Sequence, residues 1–259
     1  MTWKPRVCGE DQYHHVYAWG NDRHPIFKAR SHYTKYLSLL AKHSQSLSVF
    51  IIAYALMEYH IHLFIYDRDK NVSEFMKKLH GDYAKYFNRV NNRTSHVFGE
   101  RFNNKIVQAN LYGKWLSRYI HRQAVESGIV ADPIEYEWSS YGIYIGTVKC
   151  NWVRPNVVLE QFGEGPSAIN NYKKFVFDKG DGPIIWSKRK MVFNVNVICE
   201  HVCNELNISR NVLFSPNGQY EKAKRCEFVK ILIHRYNMKL SEVAAFLKIQ
   251  RCTLYDILK

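Results

Sequence analysis

The chain is short of acid. Across 259 residues, 23 Asp and Glu stand against 37 Lys and Arg, which leaves a net charge of +14. Such an imbalance argues against a polycationic partner and favours a polyanion, of which nucleic acid is the commonest. The six cysteines (Cys8, Cys150, Cys199, Cys203, Cys226 and Cys252) form no CxxC pair and show no zinc-ligand spacing. In a chain of this size that excludes a zinc ribbon and predicts reduced core thiols in a cytoplasmic setting. No stretch approaches the ~18 consecutive apolar residues of a membrane span, so no membrane partner is expected. The opening "MTWKPRVCGEDQYHH" lacks the apolar centre of a signal peptide. Repeats and low-complexity tracts are missing too.

What is present is a core-forming chain, 46% hydrophobic and 15% aromatic. "YHHVYAW" (13–19) has strand composition and runs into a turn, "GNDRHP". Ser31 is the expected cap of a helix carrying Tyr33, Tyr36, Leu37 and Leu40 at helical spacing. "LSVFIIAYAL" (47–56) and "YHIHLFIY" (59–66) read as a hairpin. Ser73 opens a helix with Phe75, Met76, Leu79, Tyr83, Tyr86 and Phe87 on one stripe, ended by "NNR" at 91–93. A short strand at 101–108 precedes a helix at 111–127, stopped by Gly128. Strands and helices alternating over short connections predict an α+β fold, helices over an antiparallel sheet. The region 142–190 holds much of the Gly and Pro and predicts an irregular extension with one or two short helices, ending in a linker. Beyond about residue 190 the texture is helical. The expected domains are therefore 1–185 and 190–259, with net charges of +9 for residues 1–189 and +5 for 190–259.

Two histidines sit one residue apart inside the apolar run "MEYHIHLFIY" (57–66). In a strand, residues i and i+2 share a face, so His60 and His62 present two imidazoles side by side while Tyr59, Ile61 and Leu63 face away. Neutral imidazoles on a rigid strand suit a divalent metal. The competing reading is a pair of hydrogen-bonded histidines on a solvated sheet face. On the helix at 111–127, Tyr119 and Gln123 lie one turn apart on one face. A tyrosine hydroxyl beside a metal is a nucleophile for phosphate, and Gln123 offers a third, oxygen ligand. Tyr112, Trp115, Tyr119 and Ile120 would equally serve as helix core.

The order HxH, then a helical Tyr with Gln four residues on, resembles the HUH single-tyrosine transposases of the IS200-like class, and within it the REP-associated branch. Five blocks follow that branch in order: "YHHVYAWGNDRHPIF", "AYALMEYHIHLFI", "FMKKLHGDYAKYFNRVNNRTSHVFGERF", "RYIHRQAVESGIV" and "YEWSSYGIYIG". With the tail "EQFGEGPSAINNYKKFV", the likeness spans residues 6 to 180. One departure stands out. REP-associated proteins usually continue the tyrosine block as NPVRAG, with Asn four residues after the nucleophile, where this chain has Gln123 as simpler single-tyrosine transposases do.

The resemblance implies a ferredoxin-like HUH domain, an enzyme that cleaves and rejoins single-stranded DNA at hairpin-associated sites. His60, His62 and Gln123 would hold Mg²⁺ or Mn²⁺, and Tyr119 would form a 5′-phosphotyrosine. It also implies a homodimer and a place in the bacterial cytoplasm with the nucleoid. Arg89, Arg93, Arg101 and Phe102 are the candidates for lining the strand path, by phosphate attraction and base stacking.

The last twenty residues, "LSEVAAFLKIQRCTLYDILK", fit a helix-turn-helix. Leu240, Val243, Ala244 and Leu247 would pack the first helix, and Leu254, Ile257 and Leu258 the second. Arg251, Thr253 and Tyr255 are then left to reach DNA. With "VLFSPNGQYEKAKRCEFVKILIHRY" before it, the segment resembles the duplex-binding domain of the replication initiator DnaA, adding Lys222, Lys224 and Arg225 as DNA-contact candidates. The expected partner is single-stranded DNA with an adjacent hairpin or duplex. Two other functions share these features: a rolling-circle replication initiator, and a DNA-binding regulator with a degenerate nuclease domain. A packing or dimerisation role is the plainer alternative for the tail.

Overall fold

The computed structural model describes residues 9–107, 111–178, 184–187, 190–193, 195–234, 238 and 240–258. Its contacts divide the chain into two compact units, Met1–Asp178 and Lys179–Lys259.

The first unit is built on a four-stranded antiparallel sheet of β1 (Gln12–Trp19), β2 (Val49–Met57), β3 (His60–Asp67) and β4 (Asn103–Val107), in the order β2-β3-β1-β4. Helix α1 (Arg30–Ser46) joins β1 to β2, and α2 (Val72–Val90) joins β3 to β4. This is the α+β fold that the strand and helix pattern predicted, in the ferredoxin-like arrangement that the family resemblance implied.

Alternation along the strands decides what each face does. On one face Val16, Ala18, Ile61, Leu63 and Ile65 join Tyr36, Leu40, Phe75, Leu79, Tyr83 and Phe87 of α1 and α2 in the main core. The other face carries His15, Tyr17 and Trp19 of β1, placed in register with Phe64, His62 and His60 of β3. An irregularity between Ile51 and Ala53 resets β2, so that Ala55 lies opposite His62 and Met57 opposite His60.

The helix ends correct the sequence reading in detail. Helix α1 is capped at Ala29 and not at Ser31. The α2 start takes its donors' partner from the preceding strand: the buried Asp67 carboxylate accepts from the Asn71 and Val72 amides at 2.8 and 2.7 Å. A carboxylate there also suits the positive end of the helix dipole.

The helix expected at 111–127 is two pieces, α3 (Leu111–His121) and α4 (Gln123–Glu126), meeting at Arg122. Gly128 closes the second at φ +68, where a side chain would be strained. Beyond lie α5 (Tyr141–Tyr144), α6 (Asn156–Leu159) and α7 (Gly165–Phe177). The region expected to be irregular thus holds a thirteen-residue helix, because Ala168, Tyr172 and Val176 recur every four residues and are all buried. The segment Trp138–Ser140 covers the β2 edge: Trp138 O accepts from Leu56 N at 2.9 Å, Ser140 N donates to Tyr54 O at 3.0 Å, and Ser140 Oγ accepts from Tyr54 N at 2.9 Å.

The second unit contains a short hairpin, β5 (Ile184–Ser187) with β6 (Lys190–Phe193), where a linker and then helix were expected. Helices α8 (Val195–Glu205), α9 (Arg210–Phe214), α10 (Gly218–His234), α11 (Leu240–Leu247) and α12 (Arg251–Leu258) follow. Their core includes Ile198, Cys199, Val202, Leu213, Phe228, Val229, Leu232, Val243, Leu247 and Leu254. Among the described cysteines, Cys199 and Cys203 are the buried ones. Cys252 is exposed, Cys150 and Cys226 lie between, and Cys8 falls outside the described residues.

Candidate active site

Helix α3 packs against β2 and β3. It places Tyr119 over the histidine face, with its ring edge-on to His62 at a centroid distance of 5.3 Å and to His15 at 6.1 Å. The Tyr119 hydroxyl lies 3.4 Å from His62 Nε2. One turn on, Gln123 Oε1 lies 3.4 Å from His60 Nε2, while Gln123 Nε2 donates to the Tyr119 carbonyl at 3.2 Å. The two strand histidines and the two helix residues singled out in the sequence therefore meet at one place. His60 is held by Trp19, whose ring stacks on it at 4.2 Å.

His15 is the member of this cluster that sequence reasoning missed. His62 Nδ1 and His15 Nε2 are 3.1 Å apart, both rings buried. The tautomer in which His62 Nδ1–H donates to His15 leaves the His62 Nε2 lone pair facing the Tyr119 hydroxyl. His15 thus takes the position beside His62 that a carboxylate, a carbonyl or a water usually holds next to a metal-binding histidine.

Burial keeps all three imidazoles neutral. It pushes His60 down to about 4 and His15 down to about 3, and it holds His62 well below its ordinary value, with the neighbouring His60 and His15 adding to the effect. Burial also raises the Tyr119 phenol above its usual range, opposed by the hydrogen bond with Gln123. The unliganded site thus holds neutral donors and a reluctant nucleophile.

The donor set fits a divalent cation in chemistry. Two imidazole nitrogens and one amide oxygen suit a borderline ion. Among the described residues no group of three His, Cys, Asp or Glu side chains is placed to hold a metal. All three candidate donors are uncharged, so a bound cation would keep its full charge for an anionic ligand.

The DNA-contact candidates fare unevenly. Arg89 and Arg101 are exposed, whereas Arg93 lies over the Phe87 ring and donates to Ser95 Oγ at 2.7 Å. Phe102 is 7% exposed and belongs to the main core, so its ring is no open stacking platform; it packs where β4 begins. In the second unit Lys222, Arg251 and Thr253 are exposed. Lys224 pairs with Glu227 at 3.0 Å, and Arg225 is half-buried, its Nε shut off from solvent with no hydrogen-bond partner. Helices α11 and α12 are separated by Lys248, Ile249 and Gln250, with Lys248 at φ +55. Val243, Ala244, Leu247 and Leu254 face inward, and Tyr255 is 52% exposed. Among the described residues no helix is long and apolar enough to cross a membrane.

None of the curated proteins matches the chain. Among solved structures, a REP-associated tyrosine transposase bound to a REP hairpin is similar at 12% identity, with a TM-score of 0.50, covering 60% of this chain and 98% of its own. A candidate transposase from Deinococcus radiodurans covers 47% of this chain and 98% of its own, at 16% identity and a TM-score of 0.34. The first of these likenesses extends to the fold. The family model "Transposase IS200 like" matches residues 9–123, a span that begins before β1, ends on Gln123 and contains His15, His60, His62 and Tyr119. Over residues 9–123, therefore, this chain is similar to the IS200-like transposase family.

Proposed function

We propose that this protein is a metal-dependent single-stranded DNA transposase that breaks and rejoins strands through Tyr119. The observation that carries the reading is the convergence of the Tyr119 hydroxyl on His62 Nε2 at 3.4 Å, beside His60 and Gln123. In cleavage the Tyr119 oxygen attacks the phosphorus, forming an O–P bond. The bond to the 3′-oxygen breaks, the phenol loses its proton to solvent, and the leaving strand end is protonated to a free 3′-OH. The product is a 5′-phosphotyrosine. Because one phosphoester replaces another, a 3′-OH can reverse the step and rejoin DNA without a nucleotide cofactor.

His60, His62 and Gln123 would hold Mg²⁺ or Mn²⁺, which supplies charge to polarise the phosphate and to favour the phenolate. His15 orients His62, and Gln123 ties the metal position to the nucleophile's own helix. The +14 charge brings the strand in, with Arg89, Arg93 and Arg101 on the first unit as phosphate contacts. The second unit reads an adjacent duplex or hairpin through α12, with Arg251 and Thr253 at the front.

Tyr119→Phe tests the chemistry. It removes the hydroxyl and almost no volume, so covalent protein–DNA adducts on denaturing gels should vanish while binding of the same single strands stays within about twofold, as expected for loss of one exchanged hydrogen bond. Persistent adducts would move the nucleophile elsewhere, with Tyr112 the next to try.

A further inference from the structure

The first unit contains a cavity of about 660 Å³ that lies apart from Tyr119, between the start of α2 and the loop leading into β4. Ser73, Met76, Lys77 and His80 line it from α2, and His96 and Phe98–Phe102 from the loop. Its wall contains a flat aromatic pair: His80 and Phe98 stack at 3.7 Å, 6° from parallel. His80 Nε2 is shut off from solvent and has no hydrogen-bond partner in the protein. Burial pushes this imidazole down to about 3, so it is neutral and able to donate or accept. An orphaned buried nitrogen costs stability unless a ligand satisfies it. Lys77 and Arg101 stand exposed at the rim, with Glu100 beside them and Glu74 3.7 Å from the Lys77 ammonium.

The loop also touches the catalytic face. Phe98 forms an isolated bridge with Gly20, and Gly99 N donates to Trp19 O at 3.1 Å. Trp19 in turn stacks on His60. One turn of backbone therefore joins the cavity wall to a metal-ligand candidate around the β4 edge of the sheet.

We propose that this cavity is a nucleobase pocket, which takes one unpaired base of the DNA strand whose phosphate lies at Tyr119. The proposal rests on the single-stranded DNA reading above. A base offers a flat π-surface and hydrogen-bonding edge atoms, matching an aromatic wall with a buried imidazole nitrogen. Its phosphates match the lysine and arginine at the rim, and the volume accommodates a base with its sugar. A duplex cannot supply such a base without unpairing it, so the pocket selects single strands.

The test is photocrosslinking on the full-length protein. The probes are two pools of short DNA strands, random except for a central 5-iododeoxyuridine or 8-azidodeoxyadenosine. Crosslinks mapped by mass spectrometry should fall on Phe98 or His80. Ser73→Phe, which narrows the mouth from an exposed position, should remove them. Phe98→Ala should weaken strand binding roughly tenfold, as loss of one base stack does. Crosslinks confined to other segments, or none at all, would overturn the pocket. Adduct formation at Tyr119 is scored in parallel on the same strands. Adducts without pocket crosslinks sink the pocket alone, and pocket crosslinks without adducts leave the pocket standing and sink the strand-transfer chemistry.

Discussion

The two units carry their candidate residues in opposite ways. In the first, His62 is 1% exposed, Gln123 7%, and His15 fully buried, and burial keeps the two imidazoles neutral. In the second, Lys222, Arg251 and Thr253 stand exposed on helices whose buried side is apolar. Desolvated neutral groups around a hydroxyl are equipment for chemistry, since they hold a metal and keep water out. Solvated charges along a helix are equipment for attraction. The difference predicts that damage to the first unit shows in the rate of strand cleavage, and damage to the second in the choice of site.

The largest effect is expected at the three proposed metal ligands. His60→Ala and His62→Ala should each abolish cleavage that depends on Mg²⁺ or Mn²⁺, and Gln123→Ala should weaken it. Ile61 lies between the two histidines in the chain but faces the core, so Ile61→Ala should cost about 2–5 kcal/mol of stability and leave the activity of the folded fraction unchanged. Cleavage by either histidine variant in excess chelator would erase the distinction between the two faces of β3.

His15→Ala comes next. It leaves every proposed ligand in place but frees His62 to rotate and change tautomer. A fall of roughly 10–100-fold in metal affinity or cleavage rate is expected, as when other histidine-orienting partners are lost. Raising the metal concentration should recover part of it. No recovery, with normal folding, would make His15 a contact of the DNA and not of His62.

Much of this was legible in the sequence, and the failures have physical causes. HxH at 60 and 62 is a same-face pair under any strand register, so its meaning was local. His14 and His15 are adjacent and point to opposite faces, so which of them joins the site depends on the register with β3. That is a long-range fact, visible only when Tyr17 is seen opposite His62. The α7 helix was obscured by the Gly and Pro residues before it, although Pro166 sits within its first turn, where proline is tolerated. Phe102 was expected beside the arginines as a stacking residue on the strand path, yet it immediately precedes β4 and is buried against the core.

Acid should separate the units' buried groups from their exposed ones. His121 is locked between Tyr172 and Ser140, 2.7 Å from each hydroxyl, and burial pushes it down to about 3. His80 is likewise down to about 3. A histidine depressed on folding leaves the unfolded chain to take up the proton first. Its stabilising share is complete above the ordinary value near 6.5 and is lost as pH falls towards 3. By pH 5 each should cost the first unit about 2 kcal/mol. Urea midpoints measured from pH 7.5 to 5 should fall accordingly, and His121→Gln should flatten the slope by about one proton. An unchanged slope would mean that His121 is charged in the folded protein.

The smallest effect should belong to Arg251, and it sharpens the comparison most. Arg251 opens α12 after the three residues that follow α11, and it is exposed. If α12 enters a major groove, a guanidinium at its start can reach a base edge or a phosphate. Arg251→Ala should then weaken duplex binding by about 1–3 kcal/mol if it contacts a guanine edge, and less, with a shallower salt dependence, if it contacts phosphate. Adduct formation on a short single strand should be unaltered, because no group in the Tyr119 cluster is touched. Deleting residues 190–259 should enlarge the same pattern: hairpin-flanking sites are no longer preferred, while short strands are still cut at high enzyme concentration. Footprints of the intact and shortened proteins on one hairpin substrate would decide it. Identical protection of the duplex arm by both would remove α12 from the DNA and leave packing or self-association as the work of the second unit.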